Sequence, residues 1–133
     1  MIKQIAVFLE NKAGKASGCC KILKDVDINL LALSIADTQD FGIMRLITEN
    51  NEKALVALKD AGYIASEVEL VAVEVPDKAG ALSDLLIALG DGGVSVEYMY
   101  SYAGVDGHAK VAIKTADPAK AIAALNKVGA TLI

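Results

Sequence analysis

This sequence of 133 residues has no tryptophan, one histidine, two prolines and two cysteines. The scarcity of histidine and cysteine bears on metal sites and on disulfides. Two thiols and one distant histidine are too few ligands for a structural zinc site. Cys19 and Cys20 are adjacent, so a disulfide between them would be badly strained. Free cysteine is commonly buried, and both are expected to be small core hydrophobes. The sequence therefore predicts neither a metal site nor a disulfide framework.

Patterns typical of catalysis and of phosphate binding are also missing. No G-x-x-x-x-G-K-[ST] segment occurs. His108 follows the turn signal Gly104-Val105-Asp106-Gly107, and no Ser/His/Asp or Cys/His set can be assembled around it. We therefore expect a protein that is not an enzyme and needs no cofactor, with His108 packing at a rim.

Positive charge and long apolar runs are scarce as well. The chain has 13 Lys and Arg against 17 Asp and Glu, for a net charge of −4 and a pI of about 4.9. This balance opposes binding to nucleic acid or to an anionic membrane, which require a basic surface. No apolar run approaches the ~20 residues that span a bilayer, and no export signal opens the sequence. We expect a cytoplasmic protein with no nucleic-acid or membrane partner.

What the sequence does contain is an internal repeat. Asn11-Lys12-Ala13-Gly14 returns as Asp77-Lys78-Ala79-Gly80 at an offset of 66 residues, which becomes 67 after an inserted residue near Asp106-Gly107. The strand alternation and a helical apolar stripe recur at the same offsets, as does the helix-ending glycine, Gly62 and then Gly129. Such agreement indicates two copies of one small module.

Each copy is predicted to fold as strand, helix, strand, strand, helix, strand, with the copies covering residues 1–67 and 68–133. This order is that of the ferredoxin-like βαββαβ sandwich, an α+β fold with both helices on one sheet face. A module of roughly 65 residues leaves a sheet face and edges open. We therefore expect the two copies to be coupled and the chain to form a homodimer.

The expected elements have the following bounds. In the first copy, strands are predicted over Ile2 to Glu10, Ile28 to Ala36 and Phe41 to Thr48, with helices over Gly14 to Val26 and Asn51 to Ala61. In the second copy, helices are predicted over Gly80 to Leu89 and over Pro118 to Val128, the latter capped by Asp117, before a short last strand within Ala130 to Ile133. The segment Tyr63 to Val75 is long enough for two strands.

The helix that follows each repeated turn is the expected binding site. A tight turn at Gly14 directs amide donors outward, which favours an anion such as an amino-acid carboxylate. The side-chain amides of Asn11 and Asn29 can bind both the carboxylate and the ammonium of such a ligand. Helix capping without ligand contact is the open alternative. The second copy has Asp77 and Ser95 instead, so the two sites are expected to be unequal, with Asp77 better suited to an ammonium.

These motifs resemble those of the ACT domain, a small-molecule-sensing module found attached to enzymes of amino-acid metabolism. Each N/D-x-x-G turn is followed by a segment that resembles the start of the family's second strand. These segments are Ile28-Asn29-Leu30 in the first copy and Val94-Ser95-Val96 in the second. The resemblance implies a free amino acid or similar small carboxylate as ligand, and an enzyme of amino-acid or aromatic-acid metabolism as partner. By position, the implied ligand-binding residues are Asn11, Lys12, Ala13, Gly14, Asn29, Leu30, Leu31, Asp77, Lys78, Ala79, Gly80, Ser95, Val96 and Tyr98.

Three tyrosines on one predicted strand distinguish the second copy. Tyr98, Tyr100 and Tyr102 alternate onto one face of that strand. They form either an aromatic wall for a ligand or a neighbouring domain, or a packed sheet surface with hydroxyls reaching water, which we favour. The copies disagree about which face is core, so the register stays open.

Three functions compete at this point. We predict a non-catalytic regulatory protein that binds an amino acid and modulates a partner enzyme. The alternative is a protein–protein interaction module with a vestigial ligand pocket. A third reading, in which the tyrosines stack on nucleic-acid bases, is disfavoured by the acidic charge.

Overall fold

The computed structural model describes residues 1–10, 12–37 and 40–133, so Asn11 and the central residues of the turn predicted at Asp37-Thr38-Gln39-Asp40 lie outside the described residues. Over that part of the chain the strands are β1 (Ile2–Glu10), β2 (Leu30–Asp37), β3 (Phe41–Thr48), β4 (Ile64–Pro76), β5 (Tyr98–Val105), β6 (His108–Lys114) and β7 (Thr131–Leu132). The helices there are α1 (Lys15–Asp25), α2 (Asn51–Asp60), α3 (Ala81–Asp91) and α4 (Pro118–Lys127). In that same part, no helix is long and apolar enough to cross a membrane.

Two compact units make up the chain. The N-terminal unit is Lys3–Val68, and the C-terminal unit is Glu69–Ile133 together with Met1–Ile2. Strand β4 contributes residues to both. Where the sequence suggested two strands between Tyr63 and Val75, the structure has one strand of 13 residues, because no glycine or proline interrupts the chain before Pro76.

In the N-terminal unit, β3 pairs antiparallel with β1 on one side and with β2 on the other. An ion pair of 3.1 Å from Lys3 Nζ to Glu67 Oε1 joins β1 to the first part of β4. Both helices pack on one face of this sheet through a shared core. Its buried members are Ile5, Val7, Leu9, Cys19, Leu23, Ile28, Met44, Leu46, Ala54, Leu58 and Ala65.

In the C-terminal unit, β6 pairs antiparallel with β4 and with β5, and β7 pairs antiparallel with β4. Helices α3 and α4 again share one face. The buried core there comprises Val71, Val73, Val75, Ala81, Leu85, Leu89, Val94, Val111, Ile113, Ala121 and Leu125. The predicted α+β fold of two ferredoxin-like βαββαβ repeats is confirmed.

Local sequence signals explain several element ends. Asp117 Oδ1 accepts a hydrogen bond of 3.0 Å from Lys120 N, so the predicted cap of α4 is confirmed. Asn50 caps α2 in the same way through Lys53 N, at 3.1 Å. Cys19 is fully buried in the core, as expected, and its thiol is free.

The register of β5 places Met99 opposite Ile113, on the core face of the sheet. The three tyrosines therefore lie on the other face, where Tyr102 is opposite Lys110 and only 9% exposed. Tyr98 and Tyr100 are half-buried on the same face.

The position of β2 in the sheet explains why the sequence patterns of the two copies pointed to different buried faces for this strand. Leu33 and Ile35 lie opposite the core residues Leu46 and Met44, yet they are 45% and 51% exposed. Their side chains remain half exposed because, among the residues that the structure describes, β2 pairs only with β3 and lies at the edge of the sheet.

Candidate functional site

The repeated turns place a glycine at the N-cap of α1 and of α3. Gly14 has φ of +85° and Gly80 has φ of +90°, in the left-handed region that only glycine adopts freely. Because glycine has no side chain, neither N-cap residue can cap its helix with a side-chain hydrogen bond. Gly80, and not Asp77, holds the capping position of α3, so capping does not explain Asp77. No side chain caps the first turn of α3, whose first amide, Ala81 N–H, donates to Lys78 O at 3.3 Å.

Beside this turn the C-terminal unit has a cleft of about 550 Å³, here called the open cleft. It lies where β4 continues past the two-residue β7, between the first turn of α3 and the loop from α4 to β7. Its apolar walls come from Val75, Ala81, Leu85, Val128 and Ala130. Its polar lining comes from Glu74, Lys78, Asp84, His108 and Thr131.

The open cleft presents both signs of charge around an apolar floor. Asp84 supplies a carboxylate and Lys78 supplies an ammonium. Glu74 and Thr131 border the cleft at the edge of the sheet, and their side chains lie on the sheet face opposite to Val75, the face that carries Tyr102. Glu74 and Thr131 are directly paired across β4 and β7. The imidazole Nδ1 of His108 is 3.2 Å from the carbonyl oxygen of Asp106. Such a set of groups can bind a small zwitterion, with each charged end opposite a group of the other sign.

The N-terminal unit has a cleft at the repeat-equivalent positions, here called the closed cleft, and its volume is only about 220 Å³. The equivalence follows the offsets of the sequence repeat, 66 before the inserted residue and 67 after it. Large side chains stand there where the open cleft has small or polar ones. Phe8, Lys15, Phe41 and Tyr63 take the places of Glu74, Ala81, His108 and Ala130.

Tyr63 is the main occupant of the closed cleft. Its ring packs against the N-terminal core, and its hydroxyl donates a hydrogen bond of 3.3 Å to the carbonyl oxygen of Lys15. Burial raises the pKa of Tyr63. Gly18 makes room for this hydroxyl, because a Cβ at that position would lie 2.8 Å from Tyr63 Oη.

The C-terminal unit changes both members of that contact. Ala130 replaces Tyr63 and Asp84 replaces Gly18 at the equivalent positions. Ala130 ends at its β-carbon, so it makes no contact with the first turn of α3 like the one that Tyr63 makes with Lys15. The loss of the tyrosine ring therefore opens this place in the C-terminal unit, although Asp84 adds a side chain at its end.

The predicted site residues of the first copy separate into two places. Lys12 lies at the Gly14 turn, where its ammonium is 3.0 Å from Glu10 Oε2. The hydrogen bond that Lys12 donates to this carboxylate lowers the pKa of Glu10. Asn29 lies beyond the other end of α1, about 16 Å away along that helix. There its N–H donates to Glu49 Oε1 at 3.2 Å. The expectation that Gly14 and Asn29 converge in one cleft of this unit is wrong.

Asn29 instead lines a separate cleft of about 400 Å³ together with Leu30, Cys20 and Glu49. The carbonyl of Asn29 also accepts from Glu49 N, at 3.3 Å. Asn11 lies outside the described residues. The N-terminal half of the predicted site is thus divided between the two ends of one helix.

The second copy repeats this division. Lys78 and the Gly80 turn lie at the open cleft, and Asp77 N–H donates to Gly107 O at 2.8 Å. Ser95, Val96 and Tyr98 lie near the far end of β6, where Tyr98 is opposite Lys114. His108 at the start of β6 is about 20 Å from that end, at ~3.3 Å per residue.

Sequence reasoning missed most of the open cleft. Glu74, Asp84, Ala130 and Thr131 were not among the predicted ligand-binding residues. The signal was present in the repeat itself, because comparing position 63 with position 130 exposes the loss of a tyrosine.

Comparisons with known proteins agree with this architecture. Residues 1–130 match the family described as ACT domain pair. The crystal structure of a protein from Bacteroides thetaiotaomicron is 38% identical, with a TM-score of 0.90 over 98% of this chain and 90% of that one. The ligand-free regulatory subunit of aspartate kinase from Thermus thermophilus is 18% identical, with a TM-score of 0.70 over 96% and 90%. That subunit from Thermus flavus is 15% identical, with a TM-score of 0.64 over 96% and 92%. No curated protein matches the chain.

Proposed function

The chain belongs to the family of ACT domain pairs, and from that premise we propose that it is a non-catalytic regulatory protein that binds a free amino acid and modulates a partner enzyme. The observation that carries the proposal is the open cleft. Its volume of about 550 Å³ lies within the range of roughly 300–1,000 Å³ typical of small-molecule pockets. It combines an apolar floor with a few charged groups, which is the usual composition of such sites.

The charges of the open cleft suit the two ends of an amino acid. Lys78 and the positive end of the α3 helix dipole attract the α-carboxylate. Asp84 attracts the α-ammonium. Val75 and Leu85 offer apolar surface to the side chain. The proposal keeps Lys78, Ala79 and Gly80 as ligand-binding residues and adds the residues that the sequence had missed.

Other expectations from the sequence stay predictions. They are the ligand contacts assigned to Asn29 and Ser95, the domain boundary between residues 67 and 68, the homodimer, the cytoplasmic location and the partner from amino-acid or aromatic-acid metabolism. Asn29→Ala tests the first of these directly. A ligand held only by the open cleft keeps its affinity in that variant, whereas a ligand that contacts Asn29 loses about 1–3 kcal/mol.

The experiment is a panel of the twenty amino acids measured by thermal shift and by calorimetric titration. A ligand at 100 times its Kd adds ~2.7 kcal/mol of stability, which is a readily measured rise in Tm. Lys78→Ala is expected to weaken binding about tenfold through the loss of a charged partner of the carboxylate. Lys12→Ala is the matched control, because Lys12 holds the same motif position at the closed cleft.

Two results would count against the proposal. If none of the twenty amino acids at millimolar concentration shifts the melting temperature, the interaction module with a vestigial pocket becomes the better account. If Lys12→Ala weakens binding as much as Lys78→Ala does, the open cleft is not the binding site.

A further inference from the structure

We propose that the open cleft takes an aromatic amino acid, whose ring lies in the space that corresponds to the one Tyr63 fills in the closed cleft. This inference rests on the proposed function and narrows its ligand. It follows from the repeat, because the N-terminal unit contains the cleft with an occupant and the C-terminal unit contains it without one.

The closed cleft shows which shape the repeated fold accommodates at this place. The Tyr63 ring extends from the end of α2 across to the first turn of α1, where its hydroxyl donates to Lys15 O at 3.3 Å. The ring lies against the N-terminal core, beside Leu9. An aromatic side chain is therefore compatible with the backbone geometry of this module.

The open cleft keeps the surroundings of that ring and omits the ring. Val75 and Leu85 are buried core residues at the positions equivalent to Leu9 and Cys19, and both line the open cleft. Ala81 is equivalent to Lys15, so its carbonyl takes the place of the hydroxyl's acceptor. The Cβ of Asp84, at the position equivalent to Gly18, takes the space that a phenol hydroxyl in the Tyr63 position would need. These groups suit an aromatic ring that ends short of Asp84.

The other end of the proposed ring position lies beside the pairing of β7 with β4. The residue that follows Ala130 is Thr131, which is paired with Glu74 across the two strands. A ligand with its ring placed as in the closed cleft has its α-carbon near this pair. Lys78, which lines the same cleft, is the cation available to its carboxylate.

The same comparison sets the stoichiometry. In the closed cleft, Tyr63 itself takes the place proposed for the ring of the ligand. Each chain is therefore expected to bind one aromatic amino acid.

The absence of tryptophan from the chain gives a direct probe. L-Tryptophan in solution is the only indole present, and its fluorescence shifts to shorter wavelength when the ring leaves water for the apolar cleft. Titrations with L-phenylalanine and L-tyrosine by competition, and with L-alanine and L-aspartate as non-aromatic controls, complete the set. We expect at least one aromatic amino acid to bind at least about tenfold more tightly than either control, with one site per chain.

The decisive variant introduces the two contacting residue types of the closed cleft, Gly and Tyr, at the equivalent positions of the open cleft. Asp84→Gly combined with Ala130→Tyr restores both members of the Tyr63 contact, and it is expected to weaken binding of the aromatic ligand by at least about tenfold. Ala123→Tyr is the control, since Ala123 lies on an exposed position of α4 away from the lining of the open cleft. A thermal melt of each variant reports whether it is folded.

The outcomes separate this inference from the proposed function. Binding of alanine or aspartate without preference for an aromatic ring overturns the inference and leaves the proposed function standing. Failure of every amino acid to bind overturns both. Aromatic binding that survives in the folded double variant, or that saturates at two sites per chain, shows that the ring binds elsewhere. Loss of aromatic binding in the double variant alone supports the inference.

Discussion

The contact between Gly18 and Tyr63 makes a quantitative prediction that requires no ligand. Gly18 is an interior residue of α1, and a glycine there is less favourable than alanine by about 1 kcal/mol. Gly18→Ala would ordinarily stabilise the protein by that amount. In this chain the added Cβ would meet Tyr63 Oη at 2.8 Å, which is closer than a carbon and an oxygen approach.

The hydroxyl must move, because it lies at the end of a side chain, whereas the added Cβ is fixed to the helix backbone. Moving it breaks the hydrogen bond to Lys15 O, which is a neutral bond worth about 1 kcal/mol. The gain and the loss nearly cancel, so Gly18→Ala alone should leave the free energy of unfolding almost unchanged. Tyr63→Phe removes the oxygen atom in question. In that background Gly18→Ala should recover the full gain of about 1 kcal/mol.

Urea unfolding of the four proteins of this double-mutant cycle, followed by circular dichroism, gives the coupling energy. We expect about 1 kcal/mol. Gly90→Ala on α3 is the matched control, since a Cβ there meets nothing within 4 Å and its effect should be the same with Tyr63 or Phe at position 63. Additive effects of Gly18→Ala and Tyr63→Phe would refute the claim that the tyrosine hydroxyl occupies the closed cleft against this glycine.

Three further predictions concern thiol chemistry, capping and catalysis. Burial raises the pKa of Cys19 to about 12, so a thiol reagent at neutral pH should label Cys20 well before Cys19 in the native protein. Both cysteines should be labelled in denaturant. Equal labelling rates for the two cysteines of the native protein would contradict this. Because the folded-state pKa of Cys19 is raised, the stability that its neutral thiol contributes is complete below about pH 9 and declines as the pH rises toward 12. Asp117→Ala should cost about 1 kcal/mol of stability by removing the hydrogen bond to Lys120 N, and an unchanged urea midpoint would argue against the cap. His108→Ala should leave ligand affinity within a factor of about three, and the purified chain should turn over no amino acid; turnover that His108→Ala abolishes would overturn the non-catalytic proposal.

The fold could be predicted from the sequence because its signals are local and occur twice. The alternation in β1 and the helical stripe through Cys19 and Leu23 each determine one element and the face that it buries. Asp117 and Pro118 mark the start of α4 without reference to any distant residue. Element ends differed by one or two residues, as at α1, where Gly14 proved to be the cap.

The candidate site could not be predicted in the same way, because its shape depends on residues far apart in the chain. Whether a cleft is open depends on positions 18 and 63 in one unit and on positions 84 and 130 in the other. Neither position of such a pair carries a motif, and only the fold brings them together. Asn29 illustrates the opposite error, since its motif resemblance was clear but α1 separates it from the turn that it was expected to join.

The most direct test of the account is an amide chemical-shift map of the chain, recorded with and without a saturating concentration of the amino acid that binds best in the panel. The account predicts that signals from residues 78–85 and 128–131, which bound the open cleft, shift on binding. It also predicts that the repeat-equivalent signals from residues 12–19 and 61–64, at the closed cleft, stay in place. Shifts of equal size in both sets, or shifts confined to the second set or to the Asn29 end of α1, would contradict it.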